Sequence, residues 1–505
     1  NEVEKNPVAL LQKLDYNKVK ELENDTSFKK KLESVYQEFE TYMNERPKND
    51  EPIIAYFCME FGLHNSLKLF SGGLGILAGD YLKEASDSKK HIVGVGLLYR
   101  HGYFHQKISL LGDQLAVPSN LKFSELPINP VIDENGNWKY ITIALPGRKL
   151  YARIWRVDIG RVPLYLLDTD MDENTIEDRQ VTYQLYGGDW ENRFKQELLL
   201  GVGGIRLLDE VGIKPTLFHI NEGHAAFIGI ERLNKLVNNQ KLLFSQALEI
   251  VRATTLFTTH TPVPAGHDTF SENILRTYIP HYAKRLNLSW EEFMNLGKVI
   301  PNNPDENFSM SVLAMKLSLY TNGVSKIHGN VTKKMFNNLF EGFFPEELQN
   351  IKYVTNGVHM PTWVANRWRK LYENEFPQGF IYSQSDPDYW KSIYDVEDRI
   401  IWDIRQAQRK DFIDFIKRRI NCEMTQRQEN PSLISGIMEA LNEKALIIGF
   451  ARRFATYKRA HLLFRNIDRL SKIVNIKGKP VIFIFAGKAH PNDTGGKELI
   501  KKIIE

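Results

Sequence analysis

The 505-residue chain has only two cysteines, Cys58 and Cys422, far apart and without metal-ligand spacing. That excludes a disulfide framework and a zinc site, and it fits a reducing compartment, so a cytoplasmic location is expected. Long apolar runs are also missing. The longest, such as "VIFIFAG" at 481–487, fall far short of the roughly 20 residues a membrane-spanning helix needs. Excess charge is small, +4 in total with both signs mixed along the chain, so neither nucleic acid nor a membrane surface is an expected partner and any basic site must be local. Internal repeats and low-complexity segments are absent. The first fifty residues are charged helical text with no secretion signal and no initiator Met. The last, "KELIKKIIE", stops inside a helical pattern, so a chain cut at one or both ends is expected.

What is present points to an α/β protein. A hydrophobic share of 42% beside 25% charged residues excludes disordered, collagen-like and coiled-coil chains, and the length allows two or three domains. Residues 1–50 read as two polar helices, "NPVALLQKLDYNKVKELE" and "TSFKKKLESVYQEFETYMNER". "PIIAYFCMEF" reads as a buried strand, followed by the loop "SGGLG", a short helix and the strand "HIVGVGLLY". "YITIAL", "LYARIWRVDI" and "VPLYLLD" predict an antiparallel β-rich insertion. From 190 to 420, helices alternate with short apolar strands, as in a parallel sheet covered on both faces. A second α/β unit starts near Ala445 with only two strands, too few for a stable sheet. The expected domains are therefore a helical segment 1–50, a Rossmann-like domain 51–440 and an incomplete second domain 441–505.

Three segments share one layout. "TLFHINEGHAAF" ends its apolar run at Asn221, Glu222 and His224, "TTLFTTHTPVPAGHD" at His260 and Thr261, and "KYVTNGVH" at Asn356 and His359. Strand ends in a parallel α/β sheet lie along one edge, where ligands bind, and Asn, Glu and His suit a polyhydroxylated ligand. Taken singly, each His serves as well in a structural role and Glu222 as a helix cap; the repetition favours a site. His267, in a turn-like stretch, is read as structural. The loop "SGGLG" opens a helix, so its amides suit an anion or a close sugar. It lacks the spacing of a dinucleotide loop and the Lys of a P-loop.

"FARRFATYKR" at 450–459 sets four cations where helical spacing at Leu463, Ile467, Leu470 and Val474 predicts a helix capped by Thr456. Lys458 and Arg459 then stand in the first turn, where the helix dipole repels cations. A phosphate-sized anion offsets that conflict, with Arg supplying bidentate contacts and Lys a point charge. Lys488 in "FAGKAHP" is expected on the same edge.

The segments "YFCMEFGLHNSL", "SGGLGILAGD", "YRHGYFHQKI", "FHINEGHAAF", "HTPVPAGHD", "TNGVSKIHGNV", "VTNGVHMPTW", "ARRFATYKRA" and "AGKAHP", in this order, resemble the α-glucan (glycogen or maltodextrin) phosphorylases, in particular their shorter prokaryotic branch. The resemblance implies two facing Rossmann-like domains of GT-B type, the second incomplete in this chain. It also implies reversible transfer of a terminal glucosyl unit from an α-1,4-glucan to inorganic phosphate, giving glucose 1-phosphate with retention, and a homodimer. By motif, Gly73, Leu74 and Gly75 meet glucose and phosphate. Glu222 and His224 stand beside the glucosyl site, and His260 contacts the sugar. Arg453 and Lys458 bind the substrate phosphate, Tyr457 and Asn356 lie near glucose, and Arg452 and Lys488 face the cofactor. Pyridoxal 5′-phosphate is the family's cofactor, carried on a lysine beyond "AGKAHP". No lysine here matches it, so covalent attachment is not expected and this chain alone is expected to be inactive. A nucleotide-sugar glucosyltransferase of the glycogen or starch synthase kind, or a non-catalytic glucan-binding module, remain the alternatives.

Overall fold

The computed structural model describes residues 6–45, 47, 51–119, 121–340 and 350–505; of the expected N-terminal segment, 1–5, 46 and 48–50 lie outside the described residues. Among the described residues seven segments form parallel strands, β1 (Ile54–Phe57), β2 (Ile92–Leu97), β3 (Val162–Asp168), β4 (Leu217–Asn221), β5 (Thr255–Thr258), β6 (Tyr320–Gly323) and β7 (Ile351–Tyr353). β1, β2 and β3 are apolar almost throughout because both faces of such a sheet are covered, and β2 is buried along its whole length. Across the sheet the seven run β7-β6-β5-β4-β1-β2-β3. The chain winds outward from β1 to β3, returns to the centre at β4 and winds the other way to β7, a doubly wound order. The winding reverses between β1 and β4, which pair in parallel with Phe57 opposite Ile220.

The region expected as an antiparallel insertion is antiparallel but not separate. Tyr140–Leu145 pairs with Arg148–Ile159, which pairs with β3, so these strands widen the main sheet. Among its described residues the N-terminal segment has three helices rather than two, Pro7–Lys13, Tyr16–Asn24 and Thr26–Asn44. The first predicted helix breaks at Leu14 because the Asp15 carboxylate caps the Lys18 amide and starts a new one.

Contacts divide the chain into two compact units, Asn1–Tyr103 with Pro118–His359, and Phe104–Val117 with Met360–Glu505. The boundary expected at 440/441 thus falls within the second unit. Helices without an accompanying strand carry no sequence mark of the sheet they join, and here residues 360–440 include a small aromatic core of Phe376 and Phe380 around Tyr372. In the second unit, Leu446–Ala451 and Val481–Ala486 pair in parallel. Against their ends sits the hairpin His105–Ile108 and Gln114–Val117. Gln106 Nε2 donates to Gly487 O (3.0 Å), and Gln114 exchanges two hydrogen bonds with the Ala489 backbone (2.9 and 2.8 Å).

The helix predicted from Thr456 is not there. Thr456–Lys458 and Ala460–Phe464 are short 3-10 turns around Arg459, whose φ of 59° is left-handed. The α-helix starts at Ile467, where the Asn466 side chain caps the Arg469 amide. Leu470 and Val474 keep their helical spacing from this later start, so the cations precede the helix rather than occupy its first turn. Helix Thr494–Ile504, capped by Asp493, takes in the helical pattern of "KELIKKIIE". Among the described residues no helix is long and apolar enough to cross a membrane.

Candidate functional site

The switch point between β1 and β4 is where the first group of predicted residues gathers. Past the end of β4, Glu222 takes φ 73°, a conformation costly for a residue with a side chain. Its buried carboxylate is held on several sides. Oε2 accepts from the His260 amide (2.8 Å) and the Thr261 hydroxyl (3.1 Å), and Oε1 from the Gly223 amide (3.1 Å). Burial opposes ionisation, but His260, His224 and His267 and the His260 amide outweigh it and hold the carboxyl below its usual range. Asn221 bridges the same strand ends, with Oδ1 2.7 Å from His260 Nε2 and Nδ2 3.2 Å from Cys58 Sγ just past β1. Since the amide oxygen only accepts, His260 carries its proton on Nε2 in this pairing.

Behind these residues lies a buried charge cluster that sequence reasoning missed. Asp268 accepts from Arg193 Nε (3.1 Å) and Nη2 (2.7 Å) and stands 3.5 Å from His224 Nε2. Glu197, completely buried, lies 3.1 Å from Arg193 Nε. One guanidinium faces two carboxyls, so they separate. Burial works against the Asp268 charge, yet Arg193 holds its carboxyl well below the usual range; burial and the Asp268 charge push Glu197 well above it. Arg193 also covers the Tyr186 ring at 4.6 Å. Asp268 follows His267 in "AGHD", and no spacing signal links it to Arg193, 75 positions earlier.

The glycine loop is tied to the same place. Glu60, buried beyond β1, accepts from the Ser71 amide (2.7 Å), the Gly72 amide (3.2 Å), the Ser71 hydroxyl (3.2 Å) and the Tyr186 hydroxyl. Two loop amides are thereby taken, leaving Gly73, Leu74 and Gly75 in the first turn of helix Gly73–Asp87. Position 75 must be glycine: a Cβ there stands 2.5 Å from Phe70 Cβ and 2.9 Å from the Glu60 carboxylate. Asn356 is exposed on the loop after β7, its amide bonded to Val324 O (3.0 Å). His359 turns elsewhere, its amide 3.0 Å from Asp80 Oδ2 and its Nε2 3.0 Å from Asp87 Oδ2. His267 pairs with the Ser311 hydroxyl (2.7 Å).

In the second unit, Arg452 and Arg453 follow the strand end at Ala451 and are exposed. Lys458 Nζ lies 4.5 Å from the centre of the Tyr457 ring. Burial raises the Tyr457 phenol, but hydrogen bonds and charge from Lys458 and Arg453 outweigh it and bring it below its ordinary value. Arg453, Tyr457 and Lys458 thus form one cluster. Lys488 lies at the adjacent strand end, where its carbonyl accepts from the Phe454 amide (2.9 Å). Its ammonium donates to Phe104 O (2.6 Å) and lies 5.0 Å from the Phe104 ring centre.

The buried histidines give an expected pH dependence. Burial lowers His219 to about 3 and His224 to about 4, and it lowers His260 and His267 as well. An unfolded histidine titrates near 6.5, so the folded chain resists protonation that the unfolded chain accepts. Their stabilisation is complete above about pH 6.5 and is lost as pH falls, by up to roughly 1.4 kcal/mol per pH unit per histidine. Glu197 acts with the opposite sign and is outnumbered. Denaturant unfolding from pH 7 to 4.5 should show a steady fall, shallower in His219→Gln; equal slopes in both would remove His219 from the account.

Comparison with known proteins follows this geometry. The profile of the carbohydrate phosphorylases matches residues 213–505, and that of a family described only as a protein of unknown function, DUF3417, matches 1–67. The chain is 42% identical to the maltodextrin phosphorylase of Thermococcus litoralis and 39% identical to the glycogen phosphorylase of Mycobacterium tuberculosis. Each alignment covers 99% of this chain but 59% and 60% of those proteins, so the chain spans about three fifths of their length. A glycogen phosphorylase of Aquifex aeolicus is 36% identical over 99% of this chain and 72% of its own length.

Proposed function

The chain belongs to the carbohydrate phosphorylase family, and from that premise we propose that it is the larger part of an α-1,4-glucan phosphorylase, transferring a terminal glucosyl unit to inorganic phosphate with retention and releasing glucose 1-phosphate. One observation carries the reading. Arg453 and Lys458 gather on Tyr457 at a strand end of the second unit, while Asn221, Glu222 and His260 gather at the switch point of the first. The cations suit a phosphate dianion and the switch-point groups suit sugar hydroxyls.

A departing glucosyl ring develops positive charge, which a phosphate dianion beneath it stabilises. Arg453 and Lys458 hold that dianion and confine it near the reacting carbon. Glu222 serves as a fixed acceptor: its oxygens already receive backbone and hydroxyl protons, which argues against a carboxylate nucleophile. His260 and His224, lowered by burial, stay neutral near pH 7 and orient hydroxyls without adding charge. Gly73, Leu74 and Gly75 offer first-turn amides to sugar and phosphate, and Asn356 and Tyr457 are the further residues assigned to glucose. Pyridoxal 5′-phosphate is the cofactor of the family's enzymes, and its phosphate supplies a proton relay when bound. Among the residues assigned to it, the exposed Arg452 fits a phosphate, whereas Lys488 is engaged with Phe104 O.

The test is production of glucose 1-phosphate from maltodextrin and phosphate by the protein extended to the length of its relatives. Glucan extension only with a nucleotide-glucose would replace the reading with a synthase, and calorimetric binding of maltooligosaccharide without phosphorolysis would replace it with a glucan-binding module.

A further inference from the structure

Helix Gly73–Asp87 is a strut of about 22 Å with a different anchor at each end. Its start carries the glycine loop held by Glu60, and Gly75 O accepts from the Gly62 amide (2.6 Å), seating it against the end of β1. At its far end, Asp87 divides its two oxygens. Oδ1 accepts from the Tyr42 hydroxyl (2.7 Å), in the last turn of helix Thr26–Asn44, and Oδ2 lies 3.0 Å from His359 Nε2, at the end of the loop that carries Asn356. Tyr42 is locked in turn. Its hydroxyl is 2.5 Å from Ser86 Oγ. Arg161 lies over its ring at 3.7 Å and bonds Tyr42 O (2.6 Å), Ser86 O and Glu45 Oε2 (2.8 Å). The neighbouring turn is shaped around it: Gly160 has φ 56°, and a Cβ there stands 2.8 Å from the Tyr42 hydroxyl.

We propose that Tyr42 is a positioning residue through which the N-terminal segment fixes both loops assigned to the sugar, Ser71–Gly75 and Asn356–His359, by way of Asp87. The bonds from His359 and Tyr42 also outweigh burial at Asp87 and keep its carboxyl below the usual range, so the junction is charged at neutral pH. This gives the segment whose profile match is to a family of unknown function a role in the site. The coupling is a property of the ligand-free fold; its effect on glucan rests on the proposed function.

The experiment compares hydrogen–deuterium exchange in the ligand-free chain with that in Tyr42→Phe, with Asp87→Asn as a second variant. Exchange is expected to rise roughly threefold to tenfold at the amides of 71–76 and 354–359, with β5 and β6 unchanged. A rise confined to 26–45, or one spread evenly over the unit, would overturn the proposal. A second arm titrates maltoheptaose by calorimetry, with severalfold weaker binding expected in Tyr42→Phe. Unaltered affinity beside faster loop exchange would overturn the functional half of the coupling. Absence of binding by the unsubstituted chain, with the exchange pattern intact, would remove the sugar reading and leave the coupling standing.

Discussion

Asp268→Asn is expected to lower the unfolding free energy by about 3–5 kcal/mol, the cost of removing one partner from a buried ion pair, whereas Glu197→Gln is expected to change it by less than about 1 kcal/mol. Both carboxyls face the same guanidinium, so proximity alone predicts equal effects. Their environments differ. Asp268 receives two Arg193 hydrogen bonds and is ionised, while Glu197 is driven towards its neutral form by burial and by Asp268. Glutamine imitates a protonated glutamic acid in shape and neutrality; asparagine leaves Arg193 facing a neutral amide. Denaturant unfolding of both variants at pH 7 decides the matter, and equal losses would show that the proton is not on Glu197.

Arg453→Ala and Lys458→Ala are expected to reduce phosphorolysis by about 10²–10³-fold each in the protein extended to the length of its relatives, the range for losing a preorganised group that stabilises transition-state charge. Arg453 is exposed and Lys458 half-buried, so stability should change by no more than about 0.5 kcal/mol. The loss should appear with limiting phosphate, while calorimetric affinity for maltooligosaccharide stays the same. Phosphate dependence that is unchanged in both variants would detach this loop from the proposed reaction. Lys458→Ala should also return the Tyr457 phenol towards its ordinary value, since Lys458 is the leading group that lowers it.

These two expectations differ in how much of them was legible beforehand. The cations at 452–459 and the polar stops at 221–224 and 260–261 stand out because each interrupts an apolar run, and a parallel sheet carries such stops to one edge whatever the intervening sequence. Arg193, Glu197 and Asp268 were not legible: their partnership depends on how a helix and a distant loop pack, and each alone reads as an ordinary charged residue. The misplaced helix start at Thr456 has a narrower cause. The apolar spacing from Ile467 onwards fits a helix with either start, and Asn466, with Asp468 behind it, is the better cap signal. His359 shares the layout of the other strand ends, yet its ring goes to Asp87, because spacing fixes where a backbone lies and not which neighbour a side chain meets.

The hairpin at 105–117 also bears on how the chain is made. Gln106 and Gln114 reach backbone partners 381 and 375 positions later, so at ribosomal speeds of about 5–20 residues per second their amides wait roughly 20–75 s for them. Through that interval a two-stranded ribbon, marginal on its own, protrudes from a half-made polypeptide with Gln106 and Gln114 bonded to each other and otherwise turned to water. A holding chaperone would shield the ribbon through that delay, whereas slow codons placed after the first unit would lengthen it. Expressing the second unit from Met360 onwards would leave the Gly487 and Ala489 carbonyls bare unless the ribbon were added back as a separate peptide.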